Sequence, residues 1–164
     1  MKHRDSARGV ILNDRNQVLL LRFEDAKPVD SANPDALDYW VTPGGGVEHG
    51  ESFEEALKRE LIEELEIDCI EVRELIRQRN VVLDLPHSGR VLSHERYFSC
   101  RLDEDVELDH DGLSQIEKDV FRKAKWWNLD DLAASGFVVR PPRLFDLLTA
   151  ALSPRPSKEI YLDE

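Results

Sequence analysis

The chain has 164 residues, of which 41% are hydrophobic and 34% charged, and it carries a formal net charge of −12. That length and composition predict a single folded domain over 1–164 with a substantial core, not a disordered chain. The negative balance argues against nonspecific binding to nucleic acid or to an anionic membrane, since neither would meet a basic patch.

No run approaches the roughly 20 apolar residues of a membrane span. The first residues, MKHRDSARGVILNDRNQ, show neither an apolar leader core nor a cleavage pattern. Cys69 and Cys100 are the only cysteines, without the paired spacing of a zinc or redox motif. Both are expected to be core thiols, in a protein of the reducing cytoplasm.

In chain order, 7–12 and 17–23 read as two strands around a turn at Asn13-Asp14-Arg15-Asn16. The second is nearly all apolar and predicts burial on both faces. Residues 24–37 read as a long polar loop, and 38–43 as a short strand that delivers the chain into Pro43, Gly44, Gly45 and Gly46, a tight turn. An acidic helix follows Gly50. Phe53, Leu57, Leu61 and Leu65 form its apolar stripe, and Glu60, Glu63 and Glu64 lie within one third of its circumference. Further on, 67–84 and 90–102 read as strands around a turn at Pro86–Gly89, and 103–120 as an acidic loop. A short strand at 123–129, a helix from Asp130 to near Gly136 and a last helix from Pro141-Pro142 complete the order, with a frayed tail from Ser153. This mixture predicts an α/β (α+β) sandwich with a mixed sheet between helices.

Three carboxylates at i, i+3 and i+4 repel by a few tenths of a kcal/mol per pair. A divalent cation reverses that sign, and Mg²⁺ suits a few carboxylates with positions left for water and phosphate. The plain alternative is a solvated helix face with ordinary ion pairs such as Arg59–Glu63. The glycine loop ahead of the helix, entered from a strand, is the setting in which phosphate handling is credible.

Residues 45–67 resemble the signature box of the Nudix hydrolases: Gly, five residues, Glu, seven residues, Arg-Glu, an aliphatic, one residue, Glu-Glu, one residue, Gly, an aliphatic. Gly45, Glu51, Arg59, Glu60, Leu61, Glu63, Glu64 and Ile67 match. A chance match of the six polar and glycine positions is on the order of 10⁻⁷ per start site. One position departs: Glu66 stands where the box has its second glycine. Either the helix ends differently here, or Glu66 tolerates a left-handed conformation at about 1 kcal/mol.

The resemblance implies an α/β/α sandwich and hydrolysis of a diphosphate linkage in a nucleoside diphosphate joined to another group, with Mg²⁺ or Mn²⁺. It implies Glu60, Glu63 and Glu64 as metal ligands, the Gly44 carbonyl as a fourth, and Glu60 or Glu63 as general base. Arg59 and Glu51 are expected to pair and orient the carboxylates. Candidate substrate contacts are Gly45, Gly46, Trp40, Arg22 and Glu117. Glu117 is the candidate for the distant-loop glutamate that many relatives use, a solvated loop carboxylate being the alternative, with Glu95 and Glu104 behind it. Trp40 equally suits core packing, Arg22 an ordinary surface position, and His49 and His94 structural roles. The competing class is a non-catalytic module that binds a nucleotide metabolite. A homodimer would be unsurprising, and no marker of the particular nucleotide stands out.

Overall fold

The computed structural model describes residues 1–24, 38–102, 121–153 and 161–163. In chain order they form β1 (Lys2–Leu12), β2 (Val18–Glu24), β3 (Asp38–Val41), β4 (Gly44–Gly46), α1 (Phe53–Leu65), β5 (Glu71–Leu85), β6 (Gly89–Arg101), β7 (Phe121–Trp127), α2 (Leu129–Ser135), β8 (Val139–Arg140), α3 (Leu144–Leu152) and β9 (Tyr161–Asp163). The strands make one mixed sheet in the order β8-β3-β2-β1-β6-β5-β9, with β4 also paired to β1 and β7 to β2.

β1 is the axis of this arrangement. It runs parallel to β6 from Lys2↔Val91 to Leu12↔Arg101, and β6 folds back antiparallel on β5. Side chains alternate across a strand. Ala7 and Ile11 therefore join Ala56, Leu57, Leu61 and Leu65 of α1 in one core. Val10 and Leu12 join Leu144, Leu147 and Leu148 of α3, with Trp40 and Trp127, in the other. The sheet thus lies between α1 and α3, the expected sandwich. Each fully buried leucine contributes about 1.5–3 kcal/mol, so the α1 stripe alone fixes that helix firmly on the sheet.

The observed elements depart from expectation in several places. β1 begins at Lys2, five residues early, because parallel pairing to β6 carries the polar start HRDS into the sheet. The glycine segment is a strand and no simple turn: β4 pairs antiparallel to β1 with Gly44 against Arg8. The stretch 67–70 is irregular, and β5 starts at Glu71. Cys69 sits in that irregular stretch and is exposed, whereas Cys100 on β6 is buried; both are free. Burial pushes the Cys100 thiol up to about 12. β7 ends at Trp127 because Asn128 turns to cap α2, its side chain accepting from the Asp130 amide at 3.0 Å. α3 starts at Leu144 rather than at the prolines. The tail is not frayed throughout, since Tyr161–Asp163 pairs parallel with β5. Most of the 24–37 loop and the 103–120 loop lie outside the described residues.

Candidate active site

The site is built where α1 meets β4. Ser52 and Glu55 close a capping box: the Glu55 amide donates to Ser52 Oγ at 3.1 Å, and the Ser52 amide to Glu55 Oε1 at 3.4 Å. Such a cap is worth about 1 kcal/mol and fixes the helix start. From there the leucine stripe sets the rotation of the helix, and Glu60 is brought against β4. A Cβ on Gly45 would stand 2.5–2.8 Å from the Glu60 carboxyl atoms. At Gly44, φ is +138° and a Cβ would fall 2.0 Å from the Ala7 carbonyl oxygen. Glycine is required at both positions, one for the carboxylate and one for the sheet.

Arg59 holds the acidic groups together. Its Nε donates to Glu51 Oε2 at 2.7 Å, and its Nη2 to Glu51 Oε1 at 2.9 Å and to the Gly46 carbonyl at 2.8 Å. Its Nη1 donates to Glu60 Oε1 at 3.0 Å and to Glu63 Oε2 at 3.2 Å. Five N–H groups thus meet five acceptors. The hydrogen bond from Arg59, aided by the Glu48 amide, holds the Glu51 carboxyl down at about 2. The same bond to Glu51, with help from Glu60, outweighs desolvation and raises Arg59 above its ordinary value. The repulsion expected along this helix face is therefore relieved in part by Arg59 itself.

Among the described residues, no three acidic, histidine or cysteine side chains converge tightly enough to enclose a metal as they stand. The reason is visible, because Arg59 draws Glu60 and Glu63 onto itself. The donor chemistry nonetheless fits a hard cation: three carboxylates on one helix face, with Glu60 at the glycine backbone and Glu64 buried. A buried carboxylate persists where it is paired or binds a cation. The Gly44 carbonyl already accepts from Arg8 Nη1 at 3.1 Å, so its second lone pair alone is open to an ion.

Beside this helix face stand arginines. Arg8 Nη1 also donates to the Thr42 carbonyl at 3.2 Å, tying β1 to the segment between β3 and β4. Burial opposes charge on Arg8, yet Glu95, Tyr97, Glu64 and Glu60 outweigh it and raise its value. Tyr97 donates to Glu95 Oε2 at 2.5 Å, and Arg79 Nη1 lies 3.7 Å from the same oxygen.

With that geometry in place, comparison with known proteins decides the family. The NUDIX domain profile matches residues 2–148. The chain belongs to the Nudix family. A curated relative, "RNA pyrophosphohydrolase" of Wolbachia pipientis subsp. Culex pipiens (strain wPip), is 33% identical over 111 residues, covering 62% of this chain and 65% of that protein. The chain therefore spans just under two thirds of the relative's length. Two solved structures share the fold. The MutT protein of Methanosarcina mazei Go1 has a TM-score of 0.58 at 21% identity, with 92% of this chain and 93% of that one covered. An ADP-ribose pyrophosphatase of Streptococcus suis 89-1591 has a TM-score of 0.55 at 18% identity, with 98% of each chain covered.

The Nudix box closes in an unexpected way. Glu66 does take the left-handed conformation, φ 56° and ψ 30°. Its amide donates to Ile62 O at 3.0 Å, the 5→1 bond of an αL close, and the Ile67 amide donates to Leu61 O at 3.2 Å. Ile67 is then buried in the α1 core, a gain of about 1.5–3 kcal/mol that exceeds the roughly 1 kcal/mol of strain at Glu66.

Other expected site residues sit elsewhere. Trp40 is buried in the α3 core, edge-on to Trp127 with ring centroids 5.1 Å apart, and offers no open face for stacking. Arg22 forms a forked pair with Asp38, at 2.9 and 2.7 Å, and is held as a surface cross-link between β2 and β3. Glu95 is buried and engaged by Tyr97 and Arg79. His94 stacks on His3 and contacts Asn80 Oδ1 at 2.7 Å, a structural position. Glu117 and Glu104 lie outside the described residues. Sequence reasoning missed Arg4 and Arg8. Their signal was the period-two run Arg4, Ser6, Arg8 on a strand that turns apolar at Val10 and Leu12.

Proposed function

We propose that this Nudix protein hydrolyses a diphosphate linkage in a nucleoside diphosphate joined to another group, with Mg²⁺ or Mn²⁺ as cofactor. The Arg59 clamp carries this reading: one guanidinium holds Glu51, Glu60, Glu63 and the Gly46 carbonyl in one place beside a glycine backbone. A binding module would need neither the full carboxylate set nor its orientation.

Glu60, Glu63 and Glu64 would hold the cation, with Gly44 O as a further ligand. When bound, the cation supplies charge neutralisation at the phosphoryl oxygens and eases ionisation of the attacking water. Glu60 or Glu63 takes the proton from that water. Arg59 and Glu51 are positioning residues that fix the carboxylates through hydrogen bonds. Gly45 and Gly46 let the backbone approach the phosphates closely. The substrate is a small nucleotide rather than a polymer, on the strength of the −12 net charge. A second reading takes an RNA as substrate, favoured by the likeness to the 33% identical RNA pyrophosphohydrolase. A cytoplasmic location accords with the two free cysteines, and among the described residues no helix is long and apolar enough to cross a membrane.

The test is incubation with a panel of nucleoside diphosphate derivatives, dinucleoside polyphosphates, nucleoside triphosphates and 5′-triphosphorylated RNA, with Mg²⁺, Mn²⁺ or EDTA. Metal-dependent release of a mononucleotide, phosphate or pyrophosphate is expected. Tight nucleotide binding with no turnover on any member would overturn hydrolysis in favour of a binding module.

A further inference from the structure

One face of the β1–β6–β5 layer is arginine-lined beside the carboxylate helix. Alternation puts Arg4, Ser6 and Arg8 on the side of β1 that further along carries Val10 and Leu12. The register sets Ser6 against Glu95 and Arg8 against Tyr97, and then Arg79 against Glu95 and Arg77 against Tyr97. Four guanidiniums therefore share this face with the Glu95 carboxylate, and the field of Glu60 and Glu64 reaches Arg8 from α1. In a chain of net charge −12 this is a local reversal of sign.

Arg8 and Arg79 have partners, at β4 and at Glu95. Arg4 differs from them. Among the described residues its guanidinium makes no hydrogen bond or ion pair, yet it is only partly exposed. Burial and then the neighbouring Arg8 press against its charge more strongly than Glu60 and Glu95 support it. A guanidinium keeps its proton regardless, so among the described residues its desolvation is only partly offset by Glu60 and Glu95, and an anion would complete that offset. The place it occupies is provided by Gly46, where a Cβ would fall 2.8 Å from Arg4 Nε and 2.9 Å from Nη2. The third glycine of the loop thus makes room for this guanidinium, within the field of Glu60.

We infer that this face seats an anionic group of the substrate, a phosphate other than the linkage being hydrolysed, and that Arg4 is the residue that touches it. The word substrate rests on the hydrolase reading; the anion seat does not. The favoured substrates are then nucleotides that carry an additional phosphate, in preference to their otherwise identical counterparts.

Two matched pairs differ by one phosphate monoester, ADP-ribose with its 2′-phosphate and NADH with NADPH. A preference of at least about 10-fold in kcat/KM for the phosphorylated member of one pair is expected, the scale of one charge-assisted hydrogen bond. That ratio should fall toward one in Arg4→Ala. It should also fall in Gly46→Ala, whose Cβ displaces the flexible end of Arg4 without asking the backbone to move; unchanged thermal melting would show both variants folded. Inorganic tripolyphosphate, titrated by calorimetry without metal, gives a readout independent of turnover, and Arg4→Ala should weaken its binding at least about 10-fold. If no substrate is turned over but tripolyphosphate binding depends on Arg4, the seat stands and the hydrolase reading fails. If turnover occurs but neither pair is discriminated, or discrimination survives both variants, the seat is overturned while hydrolysis stands. Wild-type protein that does not bind tripolyphosphate overturns the seat under either result.

Discussion

The two halves of β1 are covalently continuous and share a face, yet they do opposite work. Val10 and Leu12 are fully buried against the leucines of α3. Arg4, Ser6 and Arg8, a few residues earlier on the same side, face the Glu95–Tyr97 pair, the carbonyls of Thr42 and Gly44, and the field of Glu60 and Glu64. The backbone is the same extended strand in both halves; what covers it differs. Where a helix with a leucine face lies over the strand, apolar burial holds the fold. Where a glycine backbone and a carboxylate helix edge lie beside it, the long side chains are the cations Arg4 and Arg8.

Four changes would break or sharpen that contrast, from the largest expected effect downward. Leu61→Ala deletes a fully buried side chain under the carboxylate helix, and a loss of about 2–5 kcal/mol is expected from chemical denaturation. A loss below that range would mean the α1 core collapses around the cavity. Glu63→Gln should leave the melting temperature near the wild-type value and lower kcat at least about 10²-fold, because an amide is a poor ligand for a hard cation. Retained kcat would place the metal elsewhere. Glu66→Gly should stabilise by up to about 1 kcal/mol, the left-handed strain removed, offset in part by greater freedom of the unfolded chain. A lower denaturation midpoint would show that the Glu66 side chain matters more than its backbone.

The smallest change concerns acid. Glu51 falls from 4.5 to about 2 on folding through its bond to Arg59. A depressed value means that its contribution is complete above 4.5 and drains away as pH falls toward 2. Melting temperature across that window should drop less steeply in Glu51→Gln than in the wild type, and modestly, since the pair is open to solvent screening. Parallel pH profiles would remove Glu51 from the account.

Much of this was legible in the sequence because it rests on local rules. The α1 stripe and the glycine turn follow from spacing within one segment, and the Arg59–Glu51 pairing from the resemblance; the Ser52–Glu55 box, not read in advance, rests on an equally local pattern. The Arg4–Gly46 contact does not, since it joins two strands 42 residues apart through a register that only β1–β4 pairing defines. The placing of Trp40 and Arg22 was open in the sequence for a similar reason. An aromatic or a cation beside a glycine loop says nothing of which face it occupies, and pairing placed Trp40 under α3 and Arg22 beside Asp38. Glu66 reads as a defect in one dimension and as a satisfied left-handed close in three, because the burial of Ile67 outweighs it.

The pairing of β4 to β1 has a thermodynamic consequence for any ligand. A glycine-rich segment left as free chain would lose about 1–2 kcal/mol of backbone entropy per residue on being ordered by what it binds. Here Gly44, Gly45 and Gly46 are already held in register against Arg8, Ala7 and Ser6 of β1, with the Gly9 amide bonded to Pro43 O and the Val47 amide to Asp5 O at either end. That ordering belongs to folding, and binding free energy at this backbone goes to the ligand instead of to the loop.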